Sequence, residues 1–494
     1  MTEDSRVLVP GDTCWQIARA DRLACIIDAA DYFFYAKSAM LEARHRIILI
    51  GWDFDTRIKL EPGGQTLEGP NRLGDFLKWL PKHRPGLDIH LLKWNLGALT
   101  AMTRGMAPIF VENWLTDESL HFELDGAHPV GAAHHQKILV IDDQLAFCGG
   151  IDMTVDRWDT SDHKDSNDFR TKPSGKSYGP WHDATTAVDG DAARAIGEMA
   201  RDRWKAATGT ALDQIAIDSE GDQWPKGLVP TLESVDVAVA RTLPEIPGRD
   251  EVREIEALYL AAIASARRYL YIESQYLASR TIAEAMAERL GESDGPEIMV
   301  VLPRNAEGWL GQQTMDGARH RLLKLLWNAD VHNRFRAFHP VTTGGEPIYV
   351  HAKILIMDDS VLRVGSSNLN NRSLGFDSEC DLAVEIRDDD AAADEHRASI
   401  RHVRDRLLGE HLDVGTEGFM DALGKHKSLV ATVDALRGDG KTLVEFDREA
   451  IDGEENPLAE NELMDPEQAP SSLFQRTYRE LARRRSARRQ SAHG

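Results

Sequence analysis

His135 and Lys137 stand two positions apart, and the same pair returns as His351 and Lys353. Residues i and i+2 of a strand share a face, so each imidazole is expected beside an ammonium group. A histidine next to a lysine makes a site for an anion. The ammonium neutralises phosphate oxygens, and the imidazole can attack, donate or accept a proton near neutral pH. Two such pairs brought together would surround one phosphate with two histidines and two lysines. One histidine would be the nucleophile and the other the acid for the leaving group. A nucleophilic imidazole also needs a group that fixes its tautomer. Aligning Ala187-Val188 with Ala383-Val384 sets Asp183 opposite Glu379, one carboxylate for each half. Which carboxylate serves which histidine stays open at this level. Gly149-Gly-Ile-Asp152 and Gly365-Ser-Ser-Asn368 follow the two motifs. Glycine there permits close backbone approach, and Ser366 and Asn368 can donate to a phosphate oxygen.

The elements that must position these residues are themselves repeated. His135-Gln-Lys-Ile-Leu-Val-Ile-Asp-Asp143 recurs as His351-Ala-Lys-Ile-Leu-Ile-Met-Asp-Asp359. Upstream, Arg46-Ile-Ile-Leu-Ile-Gly-Trp-Asp53 answers Tyr269-Leu-Tyr-Ile-Glu-Ser-Gln-Tyr276, and Ile89 to Trp94 answers Ile298 to Pro303. Downstream, Asp183 to Val188 answers Glu379 to Val384. These short apolar runs, bounded by Gly, Pro or charge, read as buried strands. Helical stretches alternate with them, as in 191–205 and 314–327. The pattern predicts an internally duplicated α/β fold, with two lobes about a pseudo-twofold and the site between them. The expected division is a first lobe over 1–215, a linker over 216–232, a second lobe over 233–412 and a C-terminal extension over 413–494.

The chain has 494 residues, 81 acidic against 58 basic, for a net charge of -23. This opposes an extensive nucleic-acid footprint. The four cysteines, Cys14, Cys25, Cys148 and Cys380, are scattered and suggest a reducing compartment. No apolar run is long enough to span a bilayer, and the N-terminus does not read as a signal peptide. The expected location is cytoplasmic or peripheral to a membrane, with signal-free secretion the other route. High Ala, Arg and Asp content suggests a bacterial source.

His-x-Lys-x4-Asp followed by a Gly-Gly or Gly-Ser turn, present twice, resembles the phospholipase D superfamily. The likeness runs from about Arg46 to Arg387. Asp156-Arg-Trp-Asp159, Pro180-Trp-His-Asp183, Tyr271-Ile-Glu-Ser-Gln-Tyr276, Ile348-Tyr-Val-His351 and Asn370-Asn-Arg-Ser373 resemble its lipid-hydrolysing, transphosphatidylating branch. The resemblance implies two α/β lobes, no metal, no cofactor and a covalent phosphohistidine. It implies His135 as nucleophile and His351 as general acid, then base. It implies Lys137, Lys353, Asn368 and Ser366 on the phosphate, and Asp183 and Glu379 as orienting groups. Asp142 and Asp358 correspond to motif aspartates that pin backbone. Asp152 stands where many relatives carry Asn, and is expected to face away from the phosphate or pair with a base.

The expected activity is hydrolysis of the distal phosphodiester of a glycerophospholipid such as phosphatidylcholine. Alternatives are a cardiolipin-type phosphatidyltransferase, a nucleic-acid phosphodiesterase and a catalytically silent lipid-binding module. The expected partner is a phospholipid membrane or micelle surface, approached by a monomer, with no nucleic acid. Seven arginines between Arg476 and Arg489 could clamp anionic lipid; a solvated end is the bland reading. His134, His163 and His182 are expected at the surface or behind the site. Cys148 and Cys380 read as small buried fillers, and Trp52, Trp158 and Trp181 as core or as an acyl groove.

Overall fold

The computed structural model describes residues 6–95, 118–216, 222–246, 248–306, 315–448 and 465. The basic run 476–489 lies outside the described residues. The first half contributes β1 (Gln16–Ile27), β2 (Arg46–Gly51), β3 (Asp88–Trp94), β4 (Leu120–Asp125), β5 (Ile138–Ile141), β6 (Leu145–Gly149), β7 (Trp181–His182) and β8 (Ala184–Asp189). The second contributes β9 (Leu232–Leu243), β10 (Val252–Arg253), β11 (Tyr269–Glu273), β12 (Glu297–Val301), β13 (Phe335–Val341), β14 (Tyr349–Val350), β15 (Ile354–Met357), β16 (Val361–Gly365), β17 (Glu379–Glu385) and β18 (Thr442–Glu445).

Among the described residues sixteen strands form one sheet, ordered β18-β13-β12-β11-β15-β16-β17-β9-β1-β8-β6-β5-β2-β3-β4, with β10 beside β9. The order reads alike from either end toward the middle, where β1 and β9 pair antiparallel from Gln16↔Val239 to Leu23↔Leu232. The pseudo-twofold therefore passes between these two twelve-residue strands, which the repeat alignment had not included. The halves share a sheet rather than merely abutting. Runs such as Ile-Leu-Val-Ile and Ile-Leu-Ile-Met are buried throughout because helices cover both faces.

One face of each half has its own core. Tyr32, Phe33 and Met40 of the helix Ala29–Leu41 and Phe76, Leu77 and Leu80 of the helix Leu73–His83 cover the first. The helices Glu254–Ser265, Arg280–Gly291 and Gly317–Ala329 cover the second. The opposite face is one continuous core across both halves, packed by the helices Gly190–Thr208 and Ala393–His411. Beyond Val414, where the sequence pattern weakens, two more helices lead to β18, which extends the sheet by pairing with β13.

The motif aspartates close each half. Asp142 accepts hydrogen bonds from the backbone N–H groups of Arg44, His45 and Arg46 at 2.8, 2.8 and 2.6 Å. Asp358 does the same for Arg267, Arg268 and Tyr269 at 2.5, 2.7 and 2.8 Å. Each fixes the point where a helix hands over to the first central strand of its half. Both aspartates, and the Asp after each, adopt positive φ in a tight hairpin turn, a conformation Asp tolerates better than most residues. Among the described residues no helix is long and apolar enough to cross a membrane.

Candidate active site

The two histidine motifs meet at the junction of the halves, and each is held by the other half. The His135 N–H donates to the Ser378 carbonyl at 2.9 Å, and the His351 N–H donates to the His182 carbonyl at 2.8 Å. Short parallel pairings flank both links, His134 with Ser378 and β14 with β7. Each histidine is thereby docked beside the residue preceding the other half's carboxylate. His135 Nδ1 lies 3.0 Å from both Glu379 oxygens, and His351 Nδ1 lies 2.6 Å from Asp183 Oδ2. With Nδ1 engaged by a carboxylate, Nε2 of each ring is the atom left for chemistry.

The motif residues precede their strands rather than lying in them. His135 to Lys137 is extended chain leading into β5, because its backbone is engaged across the junction. Lys137 Nζ donates to the His135 carbonyl at 2.7 Å, and Lys353 Nζ donates to that of His351. Lys137 is 4% exposed and Lys353 0%, so their charges act in a poorly solvated site where they are felt strongly. Asp152 lies 3.3 Å from Lys137 and accepts the Trp52 N–H at 3.0 Å, pairing with the base as expected.

Burial dominates the electrostatics. It pulls both imidazoles well below their usual range, and Lys353 adds to the effect at each. Burial also lowers the Lys353 ammonium to about 7, opposed by Asp183. It raises the Glu379 carboxyl to about 7, opposed by Lys137, Ser366 and Ser373. Asp183 is raised by the same cause and opposed chiefly by Lys353. Burial thus favours neutral imidazoles here, beside two lysine side chains that favour an arriving anion.

Two expectations need correction. Ser366, placed on the phosphate by resemblance, donates its hydroxyl to Glu379 at 2.5 Å and accepts the Cys380 N–H at 3.0 Å. Its single proton is committed to holding the carboxylate. The glycine turn serves a carboxylate too: a Cβ on Gly150 would lie 2.3 Å from Asp183 Oδ1. Asn368 is buried, donates to Gln275 at 3.4 Å, and its Oδ1 has no partner among the described residues. His134, His163 and His182 are all buried, the second of the two placements expected for them. The Cys148 and Cys380 thiols meet 3.4 Å apart across the junction.

Aromatic rings wall both histidines. Trp52 meets His135 edge-on at 6.5 Å between centroids and stacks on Trp94. Trp181 lies 5.2 Å from His351, stacks on Tyr349, and carries the Arg157 guanidinium 4.2 Å above it. Arg157 is 6% exposed and lowers the His351 pKa; its charge was present in Asp-Arg-Trp-Asp, but nothing in the spacing aimed it here. Trp158 instead lines a separate cavity of about 470 Å³ with Phe33, Phe169 and Tyr178, which contains neither histidine.

Two family models match the chain, overlapping over 259–285. A family model described as Phospholipase D matches residues 39–285, and one described as Cardiolipin synthase, PLD-like domain, matches 259–403. Phospholipase D A of Dictyostelium discoideum is 25% identical over 431 residues, covering 74% of this chain and 32% of that protein. Phospholipase D1 of Schizosaccharomyces pombe is 26% identical over 515 residues, covering 82% and 37%. The matched region spans about a third of the length of these relatives. Among solved structures, phosphatidylserine synthase of Haemophilus influenzae Rd KW20 aligns with a TM-score of 0.50 at 14% identity, over 77% of this chain and 86% of that one, a likeness of fold.

Proposed function

The chain belongs to the phospholipase D superfamily, and from that premise we propose that it cleaves the distal phosphodiester of a glycerophospholipid through a phosphohistidine. The observation that carries the reading is the crossed pair of histidine–carboxylate contacts, at 3.0 and 2.6 Å, flanked by two buried lysines. Glu379 holds the His135 Nδ1–H, so the Nε2 lone pair attacks phosphorus. Lys137, Lys353 and the Asn368 amide hold the non-bridging oxygens. The P–O bond to the head group breaks as His351 Nε2 delivers a proton to the departing oxygen. Burial, then Lys353, Arg157 and Lys137, depress His351; a bound phosphodiester anion opposes the cationic part of that effect and so favours the protonated ring. The second step runs in reverse. His351 takes a proton from water or an alcohol, the new oxygen attacks phosphorus, and the P–N bond to His135 breaks. Phosphatidate or a phosphatidyl alcohol leaves.

The second-half match to a cardiolipin synthase model favours a lipid alcohol as a second acceptor, with the same intermediate. A peripheral encounter between a monomer and a lipid surface fits either acceptor. The test is turnover of phosphatidylcholine with ethanol present, by wild type and by His135→Ala. Phosphatidylethanol from wild type alone supports the reading, and phosphatidylglycerol offered as acceptor separates the two alcohols. No lipid product, with cleavage of bis-nitrophenyl phosphate or DNA instead, would overturn it.

A further inference from the structure

Behind the Asp183 side of the active site lies a second cluster of titratable groups that the phosphodiester chemistry does not use. Asp28 follows β1, His163 lies in the loop before β7, His182 is in β7, and Glu410 is on the helix Ala393–His411. We propose that these four residues form a closed site for a divalent metal ion of the zinc type.

The spacing admits one shared ion. One ligand atom from each residue can be chosen so that all lie within 4.8 Å of one another. His163 Nε2 is 3.1 Å from Glu410 Oε1 and 3.6 Å from Asp28 Oδ2. His182 Nδ1 is 3.4 Å from Asp28 Oδ1 and 3.4 Å from Glu410 Oε1. Ligands about 2.0–2.1 Å from a tetrahedral zinc ion are separated by about 3.3–3.5 Å. Two imidazoles and two carboxylates suit zinc better than calcium or magnesium, which take oxygen ligands.

The outer contacts point the same way. His163 Nδ1 lies 3.1 Å from Asp159 Oδ2, and His182 Nε2 lies 2.8 Å from Glu273 Oε2. Each imidazole is thus oriented by a carboxylate on its far nitrogen and turns the other nitrogen inward, the arrangement that metal-binding histidines adopt. His182 is fully buried, and its inward Nδ1 has no hydrogen-bond partner among the described residues. A proton there would point between oxygens 3.4 Å away, too far for good hydrogen bonds, while a lone pair at that place suits a metal. One divalent ion brings the same two positive charges as protons on both rings, so the charge balance of the cluster is unchanged. Glu410 also borders a cavity of about 390 Å³ with Ser161, Lys164 and Lys441, which offers a way in.

The ion would act as a brace, away from the reacting atoms. Asp28 accepts the Asp183 N–H at 3.3 Å, its own N–H donates to the Asp183 carbonyl at 2.8 Å, and the His182 carbonyl holds the His351 N–H. Glu410 comes from the second half, so the metal ties the two halves together beside the His351–Asp183 pair.

The test is elemental analysis of the full chain purified from zinc-supplemented culture, with cobalt-grown protein examined by visible absorption. The expected result is about one metal per chain, retained in His135→Asn and at least tenfold lower in Glu410→Ala and in His163→Ala, with the intense bands of tetrahedral cobalt. Retention in His135→Asn separates this site from metal caught by the catalytic histidines. Should the ligand variants fail to fold, wild type decides alone. Wild-type protein holding under about a tenth of an equivalent, and taking up neither zinc nor cobalt when these are added, would overturn the proposal.

Discussion

His135 and Glu379 are 244 residues apart in the chain, yet the imidazole Nδ1 stands 3.0 Å from both carboxylate oxygens. The matching contact, His351 to Asp183, crosses the junction in the opposite sense. Each half therefore supplies a histidine and the carboxylate that orients the other half's histidine. Neither half contains a complete pair.

That exchange makes Glu379 separable from binding. Glu379→Gln keeps the side chain's shape but cannot stabilise the imidazolium or hold the Nδ1–H tautomer. Turnover should fall by about 10³–10⁴-fold with little change in KM, by analogy with amidation of an orienting carboxylate elsewhere. Steady-state kinetics on a soluble phosphodiester would check this. A loss confined to KM would assign Glu379 to substrate binding instead.

The pH dependence should be a narrow bell. Burial holds Glu379 up at about 7, and activity needs it ionised, so kcat/KM falls on the acid side. Burial holds Lys353 down at about 7, and phosphate binding needs it charged, so kcat/KM falls on the alkaline side as well. The two limbs belong to the coupled cluster rather than to either group alone. A pH–rate profile flat across neutrality would contradict this account.

The same carboxyl costs stability. Its folded-state pKa, about 7, lies above the ordinary 4.5, so the folded chain holds this proton more tightly than the unfolded chain. The stability this gives is full below the unfolded value and is lost as pH rises through the folded one. Glu379→Gln should therefore be more stable than wild type at about pH 8, by about 1–3 kcal/mol, with the gain shrinking near pH 5. Urea unfolding at both pH values reads the difference. Equal gains at the two would assign the effect to packing.

Asp142 binds three consecutive backbone N–H groups and no reacting group. Asp142→Asn should lower stability by about 1–3 kcal/mol while leaving turnover per folded molecule within about twofold of wild type. Thermal unfolding and active-site titration together check this. A catalytic loss without a stability loss would place Asp142 in the chemistry.

Gly150→Ala sets a methyl group against Asp183, at 2.3 Å from Oδ1 before relaxation. It should displace the carboxylate from His351 and cost about 10²-fold in turnover, as misplacements of that size do. Because His351 serves as the acid, the loss should be greatest for substrates with a poor leaving group. A chromogenic diester with a good leaving group, assayed beside the lipid, separates the steps.

The duplication, the α/β class, both histidine–lysine pairs and the two carboxylates were legible in the sequence. Local chemistry writes them: strand runs are apolar, turn residues punctuate, and a reactive pair must sit at fixed spacing. The crossing of the carboxylates was not legible, because the alignment of halves is the same for either pairing. The parallel links His134–Ser378 and β14–β7 chose it. The β1–β9 seam escaped for a related reason: its strands alternate buried and exposed positions over part of their length and carry no motif. Ser366 shows how a residue of the right type in the right motif can turn to a different partner once a buried carboxylate needs a donor. Asp28, His163, His182 and Glu410 have no common spacing in the chain. Only the folding of the helix Ala393–His411 against the first half brings Glu410 to the other three, since burial of charge can be arranged only where distant segments meet.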